Sequence, residues 1–327
     1  MDSFNALVLE QRDGALQSEI RQLPADALPE GDVLIRVAYS DLNYKDGLAI
    51  SGRGKVVRKF PMVPGIDLSG TVVESAAPAY KPGDEVVVTG WGLGEVHWGG
   101  MAQLARVKSE WLVPLPDGLS LKQAMGIGTA GFTAMQCVLA LEEHGMRPGS
   151  REVLVTGASG GVGSIAVAVL AKLGYNVVAS TGKEDGHEYL KQLGAQQVIG
   201  RIAPSGKPLE SERWGGAVDT VGGPTLAAIF PAIASNCAVA AVGNAGGAEL
   251  NTTVFPFILR GVGLLGVVSV LVPFERRQQI WARLVHDLPT DLLDAMINVA
   301  PLADVPALAQ AICDGKLRGR QVVDVNA

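Results

Sequence analysis

The stretch Val153-Leu154-Val155-Thr156-Gly157-Ala158-Ser159-Gly160-Gly161-Val162-Gly163-Ser164 decides how this chain is read. A short, β-branched apolar run reads as a buried strand, and it stops at a glycine. Gly157, Gly160 and Gly163 give GxxGxxG, after which 162–173 continues with helical spacing. The spacing differs from GxGxxG, but the physical demands are the same. A tight turn ends the strand, the backbone approaches a pyrophosphate, and the helix lies close on the sheet. The helix N-terminus then offers free N–H groups and about half a positive charge to phosphates. A glycine triplet alone also fits an ordinary strand-to-helix turn. Here strand, turn, helix and second strand all fall within about thirty residues, which is the context the motif requires.

Outward from that turn the alternation continues. Strands are expected at 152–156, 176–180, 197–199, 217–220, 238–242 and 264–270, with helices at 162–173 and 187–193 between the first of them. Strand–helix repetition of this kind implies an α/β domain built on a doubly wound parallel sheet. Upstream, 33–37, 70–74 and 85–88 read as strands joined by turns such as Lys81-Pro82-Gly83-Asp84, without long helices. Helical periods over 121–141 are interrupted by Gly126, Gly128 and Gly131. After 271 come a helix at 276–288 and a last strand at 321–325, which could rejoin the first domain. The expected organisation is a β-rich domain over 1–122, to which 271–327 returns, and a dinucleotide-binding Rossmann domain over 123–270.

The end of the second Rossmann strand chooses between NADH and NADPH. A site selecting NADH usually places a carboxylate there for the ribose 2′-hydroxyl. This chain has Ser180-Thr181-Gly182-Lys183. Hydroxyls and an ammonium suit a 2′-phosphate, and a charge-assisted hydrogen bond contributes about 1.5–3 kcal/mol, about tenfold or more in favour of NADPH. The competing reading makes Lys183 a solvated residue and brings Glu184 or Asp185 to the ribose. The turns Asp219-Thr220-Val221-Gly222 and Val242-Gly243-Asn244-Ala245 end the fourth and fifth strands, where open α/β sheets bind ligands.

Bulk properties narrow the class. A net charge of −6 leaves no electrostatic footprint for nucleic acid. Cys137, Cys237 and Cys313 are too scattered for a disulfide framework or a CxxC metal pair. No basic region followed by an apolar run opens the chain, and the longest apolar helix expected, 162–173, is too short to span a bilayer. A cytoplasmic location with no membrane partner is the resulting expectation.

The whole pattern resembles the medium-chain dehydrogenase/reductase superfamily. The segments Ser40-Asp-Leu-Asn-Tyr-Lys-Asp46, Pro61-Met-Val-Pro-Gly-Ile-Asp67, 90–100, 128–134 and Pro256-Phe-Ile-Leu-Arg260 are similar to its zinc-free acrylyl-CoA reductase subgroup, whose members have also been described as quinone oxidoreductases. The resemblance implies a GroES-like β-rich catalytic domain beside the Rossmann domain. Where zinc alcohol dehydrogenases carry a ligand cysteine this chain has Asn43, and Gly65-Ile66-Asp67 replaces their Gly-His-Glu. Catalytic zinc needs three protein ligands, and the histidines here are scattered, so no metal is expected.

By the same resemblance the cofactor contacts fall on Tyr44, Gly157, Ala158, Ser159, Gly160, Gly161, Val162, Gly163, Ser180, Thr181, Gly182, Lys183, Arg201, Asn244, Ile258, Ser269 and Asn326. Asn244 stands where relatives often have an apolar residue, so its contact could run through the backbone alone. Arg201 could reach the adenosine or be a surface arginine.

Without zinc, hydride addition to an activated C=C suits the site better than polarisation of a ketone. In acrylyl-CoA the hydride goes to the β-carbon, and the enolate formed needs donors and a proton. Asn43, Tyr44, Lys45 and Asp46 are the candidate catalytic cluster. Asn43 or Tyr44 would orient substrate, Tyr44 or a water would donate the proton, and Lys45–Asp46 reads as a structural pair. The cations Arg53, Lys55, Arg58 and Lys59 suggest a handle for the phosphates of coenzyme A, or else a solvated loop. Trp91, His97 and Trp98, set among glycines, wall a pocket or form a packed turn. The expected function is NADPH-dependent reduction of acrylyl-CoA. An NADPH:quinone reductase is the nearest rival, and a non-catalytic dinucleotide-binding protein the rival of another class. An apolar last strand at 264–270 would be an exposed edge unless paired, which predicts a homodimer.

Overall fold

The computed structural model describes residues 2–149 and 151–327, and its contacts divide the chain into two compact units. The first holds residues up to 129 together with 270–285 and 293–327; the second holds 130–269 and 286–292.

The first unit opens with an antiparallel hairpin, β1 (Ser3–Arg12) and β2 (Ala15–Pro24). Its two-residue turn, Asp13-Gly14, has both residues at positive φ, 52° and 79°. That is the geometry whose twist matches the strands it joins. The main sheet contains β3 (Val33–Leu42), β4 (Asp67–Ser75), β5 (Glu85–Thr89), β6 (Leu104–Val107) and β7 (Val113–Pro114). Helix α1 (Tyr44–Ser51) follows β3 directly. The apolar faces of these strands close on a core that includes Leu7, Ile35, Leu68, Val86 and Val107.

Helix α2 (Leu121–Glu143) runs through Gly126 and Gly131 and breaks only at Gly128, whose φ of 50° and ψ of −160° are not helical. At 23 residues it is long and apolar enough to cross a membrane by length and composition, which corrects the expectation that 162–173 would be the longest apolar helix. Protein covers 83% of its apolar window.

The second unit is built on a six-stranded parallel sheet of the Rossmann type, and with the β-rich first unit it makes the chain α/β. Its elements are β8 (Glu152–Thr156), α3 (Gly161–Lys172), β9 (Asn176–Ser180), α4 (His187–Gln192), β10 (Gln197–Ile199), β11 (Trp214–Asp219), α5 (Gly223–Ile229), β12 (Ala238–Ala241), α6 (Phe255–Arg260) and β13 (Gly263–Gly266). The strand order is β10-β9-β8-β11-β12-β13, so the winding reverses between β8 and β11. A crevice for ligands opens at such a switch point, beyond the carboxyl ends of the strands. Strand β13 is shorter than the 264–270 expected. Its partner β12 ends at Ala241, and after Val267 bonds Ala241 no ladder remains for 268–270.

The tail contributes α7 (Phe274–Asp287), α8 (Thr290–Met296), β14 (Ile297–Pro301), α9 (Val305–Cys313) and β15 (Arg320–Asp324). The last strand rejoins the first unit: β15 pairs antiparallel with β3, setting Val322 opposite Asp41, and parallel with β14.

Candidate functional site

Each unit carries a cluster with chemical potential. In the second, β8 ends at Thr156 and the chain turns at Gly157, where φ is 57°. A Cβ at Gly157 would strike the Thr220 hydroxyl, and one at Gly163 would strike Gly157 O and Ala158 Cα. Glycine is therefore required at both positions, because the first turn of α3 lies directly on the strand-to-helix turn. Gly160 is the N-cap of α3 and bonds back to Gly157 O at 2.9 Å, while Ser164 Oγ donates to Ala158 O at 3.2 Å. The N–H groups of Gly161, Val162 and Gly163 sit in the first helical turn, where no preceding carbonyl can take them. They form a ready site for phosphate.

The glycine turn and the end of β9 are brought together. Ala158 N donates to Ser180 O at 3.1 Å, and the hydroxyls of Ser159 and Thr181 meet at 3.1 Å. Ser180 is not a free donor, contrary to the reading of its hydroxyl as a phosphate ligand, because it is buried and donates to Gly200 O. Thr181 is buried as well; its oxygen accepts Lys183 N at 3.2 Å, and its hydroxyl faces that of Ser159. Beyond the strand end Gly182, Glu184, Asp185 and Arg201 are exposed and Lys183 is half-buried. The guanidinium of Arg201 lies against Gly182, in the space a Cβ would fill. Two cations thus stand at the strand end where a 2′-phosphate is read.

The turns after β11 and β12 are laced together. Gly222 (φ 73°) faces the carbonyls of Gly243 and Gly247, and Gly246 N donates to Val221 O at 2.7 Å. Asp219 is buried beneath them and accepts from Thr156 Oγ1 at 2.6 Å and Gly222 N at 2.8 Å. Burial pushes its carboxyl above the usual carboxylate range, against the pull of those bonds. Asn244 is exposed on the second turn, Ile258 stands 68% exposed on α6, and Ser269 follows the end of β13.

In the first unit, Asn43 and Asp46 bracket the start of α1. The Asn43 amide nitrogen donates to Asp41 Oδ1 at 2.7 Å and to Asp67 Oδ2 at 3.0 Å, and its oxygen accepts from Arg320 at 3.3 Å. Both of its N–H groups are used, so Asn43 does not have the free donor that a substrate-orienting role requires. The pairing expected between Lys45 and Asp46 is also absent: Lys45 pairs with Glu95. Asp46 accepts three backbone N–H groups, from Asn43 at 3.0 Å, Gly65 at 3.2 Å and Ile66 at 3.0 Å. Its lone pairs hold the 65–66 backbone to α1, which leaves no acid/base role for it. Burial pushes its carboxyl up to about 7, opposed by those N–H donors. Tyr44 is the exception in the cluster, 38% exposed, with no hydrogen bond from its hydroxyl among the described residues.

Sequence reading missed the partners that make this cluster a network. Arg320, on β15, pairs with Asp41 and donates to Gly126 O at 2.7 Å. Asp67 accepts from Thr129 N at 2.7 Å and Thr129 Oγ1 at 2.5 Å. The break at Gly128 belongs to the same arrangement, since a Cβ there would strike Asp41, Arg320 and Asp67. The signal in the sequence was slight: Asp41 stands near the end of β3, and Arg320 opens β15.

The remaining candidates fall as follows. Trp91 stacks on Trp111 at 6.3 Å, His97 meets Trp111 edge-on, and Trp98 Nε1 donates to Pro61 O at 3.1 Å. The 90–100 loop is a packed turn, with the His97 ring nitrogens on backbone carbonyls. Asn326 donates its amide to Val37 O at 3.1 Å.

Comparison with known proteins agrees with this geometry. Residues 29–117 match the alcohol dehydrogenase GroES-like domain, and 161–286 match the zinc-binding dehydrogenase family. Acrylyl-CoA reductase AcuI of Ruegeria pomeroyi is 54% identical over 329 residues, covering 99% of this chain and all of that one. The chain belongs to the medium-chain dehydrogenase/reductase superfamily.

Within that superfamily, the yhdH oxidoreductase of Salmonella enterica, solved in complex with NADP, superposes with a TM-score of 0.96 at 54% identity, over 98% of this chain and 99% of that one. YhfP of Bacillus subtilis, named as a quinone oxidoreductase, is 46% identical over 98% of both chains. Its structure, with NAD bound, superposes with a TM-score of 0.95. At Asn43 the amide presents N–H groups, and beside it the Arg320 guanidinium already holds Asp41. Among the described residues no group of three metal-ligating side chains converges.

Proposed function

We propose that this chain reduces the C=C bond of acrylyl-CoA to give propionyl-CoA, with NADPH as hydride donor and no metal taking part. The observation that carries the reading is the end-to-end likeness to acrylyl-CoA reductase AcuI, at 54% identity. The cations Lys183 and Arg201 at the end of β9 support NADPH over NADH, and the first turn of α3 supports pyrophosphate binding.

NADPH supplies the hydride when bound. Addition at the β-carbon of the thioester leaves negative charge on the carbonyl oxygen, and the α-carbon then takes a proton. Tyr44 is the group with a free hydroxyl for that step, and Asp46 fixes the helix that presents it. The buried Asn43–Asp41–Asp67–Arg320 network holds the residue before Tyr44 from both sides. The protein's part is positioning and electrostatics, as for other nicotinamide enzymes.

The same reading includes a cytoplasmic homodimer. Leu264 is 42% exposed on edge strand β13 and Val268 is 66% exposed just beyond it. An apolar edge of that kind is stable in water when a second copy covers it.

Loss of NADPH absorbance with acrylyl-CoA, a benzoquinone and free acrylate tests the reaction. Fast turnover of the thioester alone is the expected result. Turnover of the quinone alone would overturn the substrate and favour the activity for which YhfP is named.

A further inference from the structure

The segment 52–60, between α1 and β4, carries four cations, Arg53, Lys55, Arg58 and Lys59. Val56, Val57 and Phe60 pack on the core of the first unit, which turns Lys55, Arg58 and Lys59 outward. Gly54 N bonds Leu48 O at 3.2 Å, tying the segment to α1, and Arg58 N bonds Glu95 O at 2.9 Å. Glu95 is also the residue that pairs with Lys45, so the segment is anchored one residue from Tyr44 in sequence.

The acids nearby are already matched. Glu95 is taken by Lys45, and Asp314 by Arg53 at 2.6 Å and Lys316 at 3.0 Å. Among the described residues Lys55, Arg58 and Lys59 have no ion pair. Three exposed cations thus fall within the five residues 55–59, in a chain whose net charge is −6. Such a cluster is stabilised when an anion binds, and it draws anions from within about 8 Å at physiological salt. Guanidinium and ammonium groups are the donors that phosphate oxygens take best.

We propose that Lys55, Arg58 and Lys59 form a phosphate-binding subsite for the nucleotide end of coenzyme A, which carries a 3′-phosphate and a pyrophosphate. Arg53 is excluded from the subsite because Asp314 holds it. The inference deepens the acrylyl-CoA reading and rests on it for the identity of the ligand, while the binding itself is measured without turnover.

Calorimetric titration of the full-length, NADP-loaded protein with coenzyme A and with pantetheine, which has no phosphate, tests the subsite. The wild type is expected to bind coenzyme A about tenfold or more tightly than pantetheine, with a preference that falls as salt rises. The charge-reversed R58E/K59E variant is expected to lose that preference. The neutral variant K55Q/R58Q/K59Q provides the same comparison if charge reversal impairs folding, with the NADP titration and thermal midpoint as checks on folding. Equal affinity for coenzyme A and pantetheine in the wild type, or an unchanged preference in the variants, would overturn the subsite. A wild type that shows the preference yet leaves acrylyl-CoA unreduced would overturn the reaction and keep the subsite.

Discussion

The amide nitrogen of Asn43 donates to the carboxylate of Asp67 at 3.0 Å. Asn43 stands where the resemblance puts a ligand cysteine in the zinc branch of the superfamily, and Asp67 closes the segment that replaces its Gly-His-Glu; here the two are bonded to each other. The cation in their neighbourhood is a guanidinium from the last strand of the protein, Arg320, itself paired with Asp41. Asp41, Asp67 and Arg320 are all essentially out of contact with water. Burial, and then the neighbouring Asp67, push the Asp41 carboxyl well up, while Arg320 pulls it down. The network therefore depends on its one cation.

Replacing Arg320 with Met should destabilise the protein by about 3–5 kcal/mol, because it leaves buried carboxylates without their partner. Arg320→Lys should recover part of the loss by restoring the charge without the forked geometry. Denaturant unfolding of the three proteins measures this. Equal stability of wild type and Arg320→Met would mean the carboxyls are neutral and need no cation.

Asp46 gives the stability of the first unit a pH dependence of definite sign. Its folded-state value of about 7 lies above the ordinary 3.8. The folded state thus holds this proton more tightly than the unfolded chain. The contribution is fully present below about pH 4 and is lost as pH rises through 7. Asp46→Asn should flatten that fall while costing the bond from Asn43 N. Unfolding midpoints collected between pH 4 and 8 decide the matter, and parallel wild-type and variant profiles would contradict it.

The parts of this molecule written locally were the legible ones. Gly163 announced the turn because a Cβ there would strike Gly157 and Ala158, a few residues away, and Gly157 because its own φ is positive, although the side chains it must clear, Thr220 and Val221, are distant in sequence. Strand 321–325 was readable as a β element that could rejoin the first unit, and β15 does so beside β3. The catalytic cluster was misread because adjacency in sequence suggested a Lys45–Asp46 pair. On a helix, neighbours one apart point in different directions, so Lys45 reaches Glu95 while Asp46 turns to the 65–66 backbone. Arg320 and Asp41 lie 279 residues apart, beyond any local pattern. Ser180 looked like a ligand because a hydroxyl at a strand end fits the motif, and only the position of Gly200 shows that it is spent.

With the Ser180 hydroxyl spent on Gly200 O, the 2′-phosphate preference rests on the cations Lys183 and Arg201. The double variant Lys183→Ala/Arg201→Ala should bind NADPH about tenfold or more weakly, as befits the loss of charge-assisted bonds. Affinity for NADH should change little. Fluorescence titration with both nucleotides measures the ratio. An equal loss for both would instead mean that the pair supports the turn after β9.

Tyr44 is left as the one residue of the 43–46 cluster with a hydroxyl at the surface and no bond to hold it. If it protonates the α-carbon, Tyr44→Phe removes the proton and little else, since α1 is fixed by Asp46 and Asn43 rather than by the phenol. General acid catalysis contributes about 10²–10⁴ in rate, so kcat for acrylyl-CoA should fall by about a hundredfold or more. The KM for the thioester should stay within about tenfold, because a proton delivered only in the transition state adds little to ground-state binding. Steady-state kinetics of the purified variant separate the two quantities. A variant with wild-type kcat would assign the proton to water and leave Tyr44 a packing surface for its neighbours.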